Sequence, residues 1–209
     1  MSGDGSSDPS SHAAIGREAL YVGPAGRHIS DMSDDILDPA TDAALVLAAE
    51  GPWREVSLRQ IAERAGIEFA ELYAKAPAKA VLVLRLSQGL DRAALATAAN
   101  VSEDVHDRLF DATMARVEAM EAHREALRSM ARGEGPISLG AHLPLTARAI
   151  LEAAGVSATA PRLAAMTLVW ARVVQVWRDD EGALNRTMAE IDKRLKQMRT
   201  RLARIGAGF

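Results

Sequence analysis

Residues Ser57 to Lys79, SLRQIAERAGIEFAELYAKAPAK, constrain the fold of this chain more than any other stretch. Ser57, followed three residues later by Gln60, has the pairing of a capping box, in which each side chain bonds the other's backbone N–H. Leu58, Ile61, Ala62 and Ala65 then share one helical face. Gly66 suits the left-handed turn that ends a helix, because it carries no Cβ to clash. Leu72 and Tyr73 lie on a second short helix, and Pro77 stops it. Two short helices about a tight turn are helix-turn-helix logic, in which the second helix can enter a groove of DNA.

The rest of the chain also reads as helix. Alanine and leucine dominate, and aromatic and β-branched runs are scarce, so an all-α fold is expected. The 209 residues suffice for one helical domain with a small head. No cysteine is present, so disulfides and thiolate metal sites are excluded. No apolar run has the length of a membrane span, and no signal-peptide pattern opens the chain, so the cytoplasm is the expected compartment.

Three segments are expected. Residues 1–35 are rich in Ser, Gly and Pro without a sustained period, and read as a disordered tail. Met32 within it is a candidate true start. Residues 36–80 form the head and 81–209 the helical body. In the head, Asp38 is expected to cap a first helix that runs to about Glu50, with Pro39 in its first turn. A connecting helix follows over about 78–98. Ser102 to Asp104 open another helix, and a short one covers His123 to Met130. Residues 133–140, GEGPISLG, read as a break before a helix over about 142–154. The final pair spans about 162–177 and 183–205.

The head resembles the DNA-binding domain of the TetR family of bacterial repressors. Ile61, Ala62, Ala65, Gly66, Ile67, Leu72, Tyr73, Pro77 and Lys79 match that family's pattern, with Ala44, Leu45, Leu47, Ala48, Gly51 and Trp53 upstream. The resemblance implies a TetR-like all-α architecture, a homodimer built on the last two helices, operator DNA as partner and a ligand among the middle helices. It places Tyr73 and Lys79 on phosphate, with Arg59 and Lys75 as further contacts. Glu68, Phe69 and Glu71 depart from it, standing where the family usually has small polar, lysine and threonine residues. Carboxylates repel phosphate, and DNA affinity comes largely from Lys and Arg neutralising it. From Ile36 to Ala98 there are seven basic residues against eight acidic ones, not the basic footprint of a DNA-binding head.

Phe110, Met114, Met120, Met130, Leu139, Met166, Trp170, Val173 and Trp177 supply an apolar, sulfur-rich lining. Phe110, Met114, Met166, Trp170, Val173 and Trp177 are the candidate contacts of an apolar small molecule or lipid; the alternative is plain core. Along the last helix, Leu184, Met188, Ile191, Leu195, Met198, Leu202 and Ile205 alternate four and three apart, a heptad seam. From Ala183 onward seven basic residues face two acidic ones. Leu195, Met198, Leu202 and Ile205 therefore suit either a dimer contact or peripheral contact with an anionic membrane. Residues Trp177 to Leu195 are also similar to the end of the TetR-fold accessory proteins of ubiquinone biosynthesis, through Asp179, Asp180, Thr187, Arg194 and Leu195. That likeness implies the alternative function: a lipid-binding accessory that has lost DNA binding. Enzyme chemistry has no motif here. His12, His28, His106, His123 and His142 have no metal-ligand spacing, no cofactor is implied, and His106 reads as a surface residue.

Overall fold

The computed structural model describes residues 36–99, 102–133, 136–180 and 182–209, with the side chains of 136–141 excepted. The expectations for residues 1–35, Met32 included, and for the Leu139 side chain lie outside the described residues. Nine α-helices are described: α1 (Leu37–Glu50), α2 (Leu58–Ala65), α3 (Phe69–Lys75), α4 (Lys79–Ala96), α5 (Val105–Glu121), α6 (Arg124–Gly133), α7 (Pro136–Ala153), α8 (Ala160–Asp179) and α9 (Asn185–Arg204). No strand occurs among the described residues.

The head is α1 to α3. In α1, Ala40, Ala43, Ala44 and Ala48 are buried, and their small side chains let neighbouring backbones approach closely. The capping box forms as expected: Gln60 N donates to Ser57 Oγ (3.2 Å) and Ser57 N to Gln60 Oε1 (2.8 Å). Gly66 adopts φ 67° and ends α2. Gly66 N then donates to Glu63 O and Ile67 N to Ala62 O, the two bonds of a Schellman motif. Ile61 and Leu72 are fully buried, each contributing about 1.5–3 kcal/mol of apolar transfer. Asp38, expected as the cap of α1, is not one. Ile36 stands at that position without a side-chain bond, and Asp38 instead accepts from Arg85 Nε of α4 at 2.8 Å. That bond holds its carboxyl below the usual carboxylate range.

In the body, α4 packs against α1, α5 and α7, α8 lies between α7 and α9, and α9 also touches α5. The expected break at 133–140 is shorter than that. Pro136 opens α7, since its fixed φ suits a first helical position, and Pro144 is accommodated inside the same helix. His106, expected at the surface, is half-buried, and its Nε2 lies 3.0 Å from Asp192 Oδ1, tying α5 to α9.

The seam of α9 is used within the chain. Leu195, Met198 and Leu202 are 1–3% exposed and belong to the core, whereas Ile205 is 67% exposed. The corner before α9 explains Asp180 and Thr187. Buried Asp180 accepts from Thr187 N (3.0 Å) and Oγ1 (2.8 Å), closing the first turn of α9. Arg194 pairs with Glu190 at 2.6 Å on the same helix. Of the residues that carry the accessory-protein likeness, Asp180, Thr187, Arg194 and Leu195 thus have structural partners.

Candidate functional site

The exposed surface of α3 carries Glu68, Ala70, Glu71, Tyr73, Ala74 and Lys75. Glu68 precedes the helix without a capping bond, so both carboxylates, Glu68 and Glu71, stand in solvent at its positive end. Phe69 is half-buried. Its ring lies 5.9 Å from that of Tyr73, and the Arg59 guanidinium sits 4.8 Å above it. The aromatic and basic groups form one stack: Arg59, Phe69 and then Tyr73, which is 53% exposed. Lys75 extends from the last turn. Lys79 is placed differently. Its Nζ donates to Trp53 O (2.6 Å) and Val56 O (2.7 Å) and lies 4.4 Å from the Trp53 ring centre. Its ammonium therefore anchors the turn between α1 and α2 to the start of α4.

The head rests on the body through α6. Ser129, which is buried, accepts from Trp53 N at 3.0 Å and donates to Gly51 O at 2.9 Å. Gly133 at the end of α6 approaches the same turn so closely that a Cβ there would lie 3.0 Å from Arg54 N. A surface depression of about 430 Å³ runs along this junction, edged by Glu50, Arg54, Glu125 and Arg132. The start of α6 is fixed to the corner between α8 and α9. Arg124 Nη1 donates to Asp180 O (2.6 Å) and Trp177 O (3.1 Å), and Arg128 bonds the carbonyl of Arg178.

The other face of α6 looks into the body. Leu127, Met130 and Ala131 line a cavity of about 110 Å³ together with Leu86 and Leu90 of α4, Arg116 and Met120 of α5, His142 and Thr146 of α7, and Trp170 and Val174 of α8. Of the six expected ligand contacts, Trp170 lines this cavity. Met114, Met166, Val173 and Trp177 are buried elsewhere in the core, and half-buried Phe110 packs against it. Trp177 Nε1 donates to Glu121, and Arg124 lies 4.8 Å over its ring. Burial pushes the Glu121 carboxyl up, but bonds from Arg124 and Trp177 outweigh it and hold the group below its usual range.

The polar corner of the cavity is absent from the sequence expectations. Arg116, 4% exposed, donates from Nε to Asp91 Oδ1 at 2.7 Å, and Thr146 Oγ1 donates to the same oxygen at 2.9 Å. Burial lowers the Arg116 pKa, and Asp91 opposes that shift. One signal was available. Arg116 follows Thr113 by three places and precedes Met120 by four, so it shares their apolar stripe.

Residues 40–86 match the family of bacterial regulatory proteins, tetR family. The chain thus carries this family's domain over its head, 47 of its 209 residues. Its fold extends the likeness beyond the matched head. A TetR transcriptional regulator from Rhodococcus sp. RHA1, known from a crystal structure, superposes with a TM-score of 0.64 at 18% identity, over 79% of this chain and 96% of its own. A tetR-family transcriptional regulator from Streptomyces coelicolor gives 0.49 at 19% identity, over 83% of each chain. No curated protein matches the sequence. Among the described residues, no cluster of His, Asp or Glu suits a metal ion, and no helix is long and apolar enough to cross a membrane.

Proposed function

We propose that this chain is a dimeric, DNA-binding transcriptional regulator of the TetR family and of the cytoplasm, whose operator affinity responds to a small apolar molecule in the body. The observation that carries the reading is the double contact of α6. One face of a ten-residue helix walls the cavity through Leu127, Met130 and Ala131, and the other holds the head through Ser129 and Gly133. A ligand that binds better to one position of α6 than another shifts the head with it, because only such differential affinity moves an equilibrium. The outward faces of α8 and α9, where Leu168 is 70% and Met188 41% exposed, supply the partner surface.

Tyr73, Arg59 and Lys75 are the phosphate contacts in this reading, with Lys79 holding the frame of the head. Glu68 and Glu71 weaken binding without abolishing it. The test is titration of the protein's own upstream DNA at two salt concentrations. Wild type should bind with a clear salt dependence. Tyr73→Phe should weaken binding about equally on all sequences, because a phosphate contact positions without specifying. Glu68→Ser with Glu71→Thr should strengthen binding, most at low salt. Wild type and the acid-replaced protein both failing to bind at low salt would overturn the regulator reading.

A further inference from the structure

The body cavity is apolar on most of its wall and polar at one corner. Arg116 uses Nε on Asp91 and reaches Ser87 Oγ from Nη2 at 3.4 Å. Its remaining nitrogen, Nη1, is buried and has no hydrogen-bond partner among the described residues, and the same holds for His142 Nε2. Both side chains line the cavity. Buried polar atoms are satisfied in the great majority of cases, so two such nitrogens beside one cavity mark a place where an acceptor is supplied from outside the chain. The rest of the lining, with Leu86, Leu90, Met120, Met130 and Trp170, suits carbon.

We propose that the cavity selects a small neutral molecule with an apolar body and a carbonyl-type oxygen, which Arg116 Nη1 and His142 Nε2 bind. This rests on the regulator reading and names its ligand class. Charge balance separates the candidates. Asp91 already pairs with Arg116 in a site where both side chains are less than a tenth exposed. A ligand carboxylate would bury a second negative charge beside Asp91. A hydrocarbon would leave both nitrogens unpaired. A neutral acceptor does neither, and the imidazole can donate from Nε2 in one tautomer. Size limits the ligand as well. At about 110 Å³ the space is smaller than the roughly 150 Å³ apolar cavity that holds benzene in another protein, so the buried portion has about six heavy atoms or fewer.

The full chain is titrated with cyclopentanone, cyclopentane and cyclopentanecarboxylate, followed by NMR at the Trp170 indole N–H and the Arg116 Nε–H. Arg116 lies 5.5 Å from the Trp170 ring centre, so both signals report the same space. Cyclopentanone should bind at least 10-fold tighter than either analogue. His142→Phe, at a half-buried position, should cut the ketone's affinity several-fold and leave cyclopentane unchanged. Arg116→Met with Asp91→Asn, which removes the buried pair together, should erase the preference for ketone over hydrocarbon. Equal affinity for cyclopentane, tighter binding of the carboxylate, or no binding of any probe would overturn the proposal. Operator binding is measured separately. Ketone selectivity without any change in DNA affinity supports the ligand class and counts against the regulator reading. DNA release by the carboxylate or hydrocarbon alone does the reverse.

Discussion

Ser129→Ala tests whether the head is latched to the body by a single hydroxyl. The oxygen accepts from Trp53 N and donates to Gly51 O, and Ser129 is 7% exposed. Alanine fits the space and removes both bonds. The buried Trp53 N–H then loses this acceptor, at a cost of about 1–3 kcal/mol. Gly51 is half-exposed, so water can reach its carbonyl and the second loss is small. Alanine is the better helix former inside α6 and returns about 0.5 kcal/mol. The net expectation is a loss of about 1.5 kcal/mol, or a melting point about 3–6 °C lower for a chain of this size. The sharper assay is amide hydrogen exchange at Trp53, where the native acceptor disappears and exchange should rise about 10-fold relative to amides in α8. Unchanged exchange at Trp53 in a folded Ser129→Ala protein would refute the latch, and with it the route from α6 to the head.

Two glycines in helices should respond to alanine in opposite directions. Gly89 in α4 has open space where a Cβ would go, so Gly89→Ala should stabilise by about 0.5–1 kcal/mol. At Gly133 a Cβ would lie 3.0 Å from Arg54 N and 3.1 Å from Trp53 Cβ, so Gly133→Ala should destabilise and loosen the head; urea unfolding of both variants measures the contrast. Acid should weaken the α8–α9 corner: burial pushes the Asp180 carboxyl up, but its bonds from Thr187 hold it below the ordinary range. A lowered folded-state pKa contributes stability that is present above the unfolded value of about 3.9 and lost as pH falls through the lower, folded one. Thermal melts from pH 6 down to pH 3 should therefore fall more steeply for wild type than for Asp180→Asn.

The head was legible because its signals are local. Ser57, Gln60 and Gly66 act within one turn of themselves, and backbone chemistry decides what they do. Asp38 shows the limit of that reasoning. It is a good capping residue at a plausible place, but Arg85, 47 positions away, offers a charged partner, and sequence order does not reveal that neighbour. Pro136 is similar. A Gly- and Pro-containing stretch reads as a break, yet proline is also an acceptable first residue of a helix, and α7 uses it so.

The site was less legible for a related reason. Apolar side chains at helical spacing announce that a face is buried, not what it is buried against. Met166, Val173 and Trp177, expected as ligand contacts, are buried in the core of the chain itself. The seam of Leu195, Met198 and Leu202 likewise closes on its own chain. The polar residues that distinguish the cavity come from three helices: Asp91 in α4, Arg116 in α5, and His142 and Thr146 in α7. Only folding brings them together.

The clamps on α6 say how a small cavity can act at a distance. Its start is tied by Arg124 and Arg128 to backbone carbonyls of Trp177, Arg178 and Asp180, where α8 gives way to α9. Those helices carry the proposed partner surface, so in a dimer that end is the fixed one. The far end meets the head at Ser129 and Gly133. In the proposed regulator, a ligand pressing on Leu127, Met130 and Ala131 would push the helix between its fixed start and its head contacts. A short helix is stiff because its hydrogen bonds close every turn, so displacement is largest at the unclamped end. There Gly133 faces Trp53 and Arg54 across a gap too small for one added methyl group. The turn it pushes carries the two carbonyls that hold Lys79, at the start of α4 and beside α3. Any shift of α6 toward the head therefore reaches the frame that positions Tyr73 and Lys75.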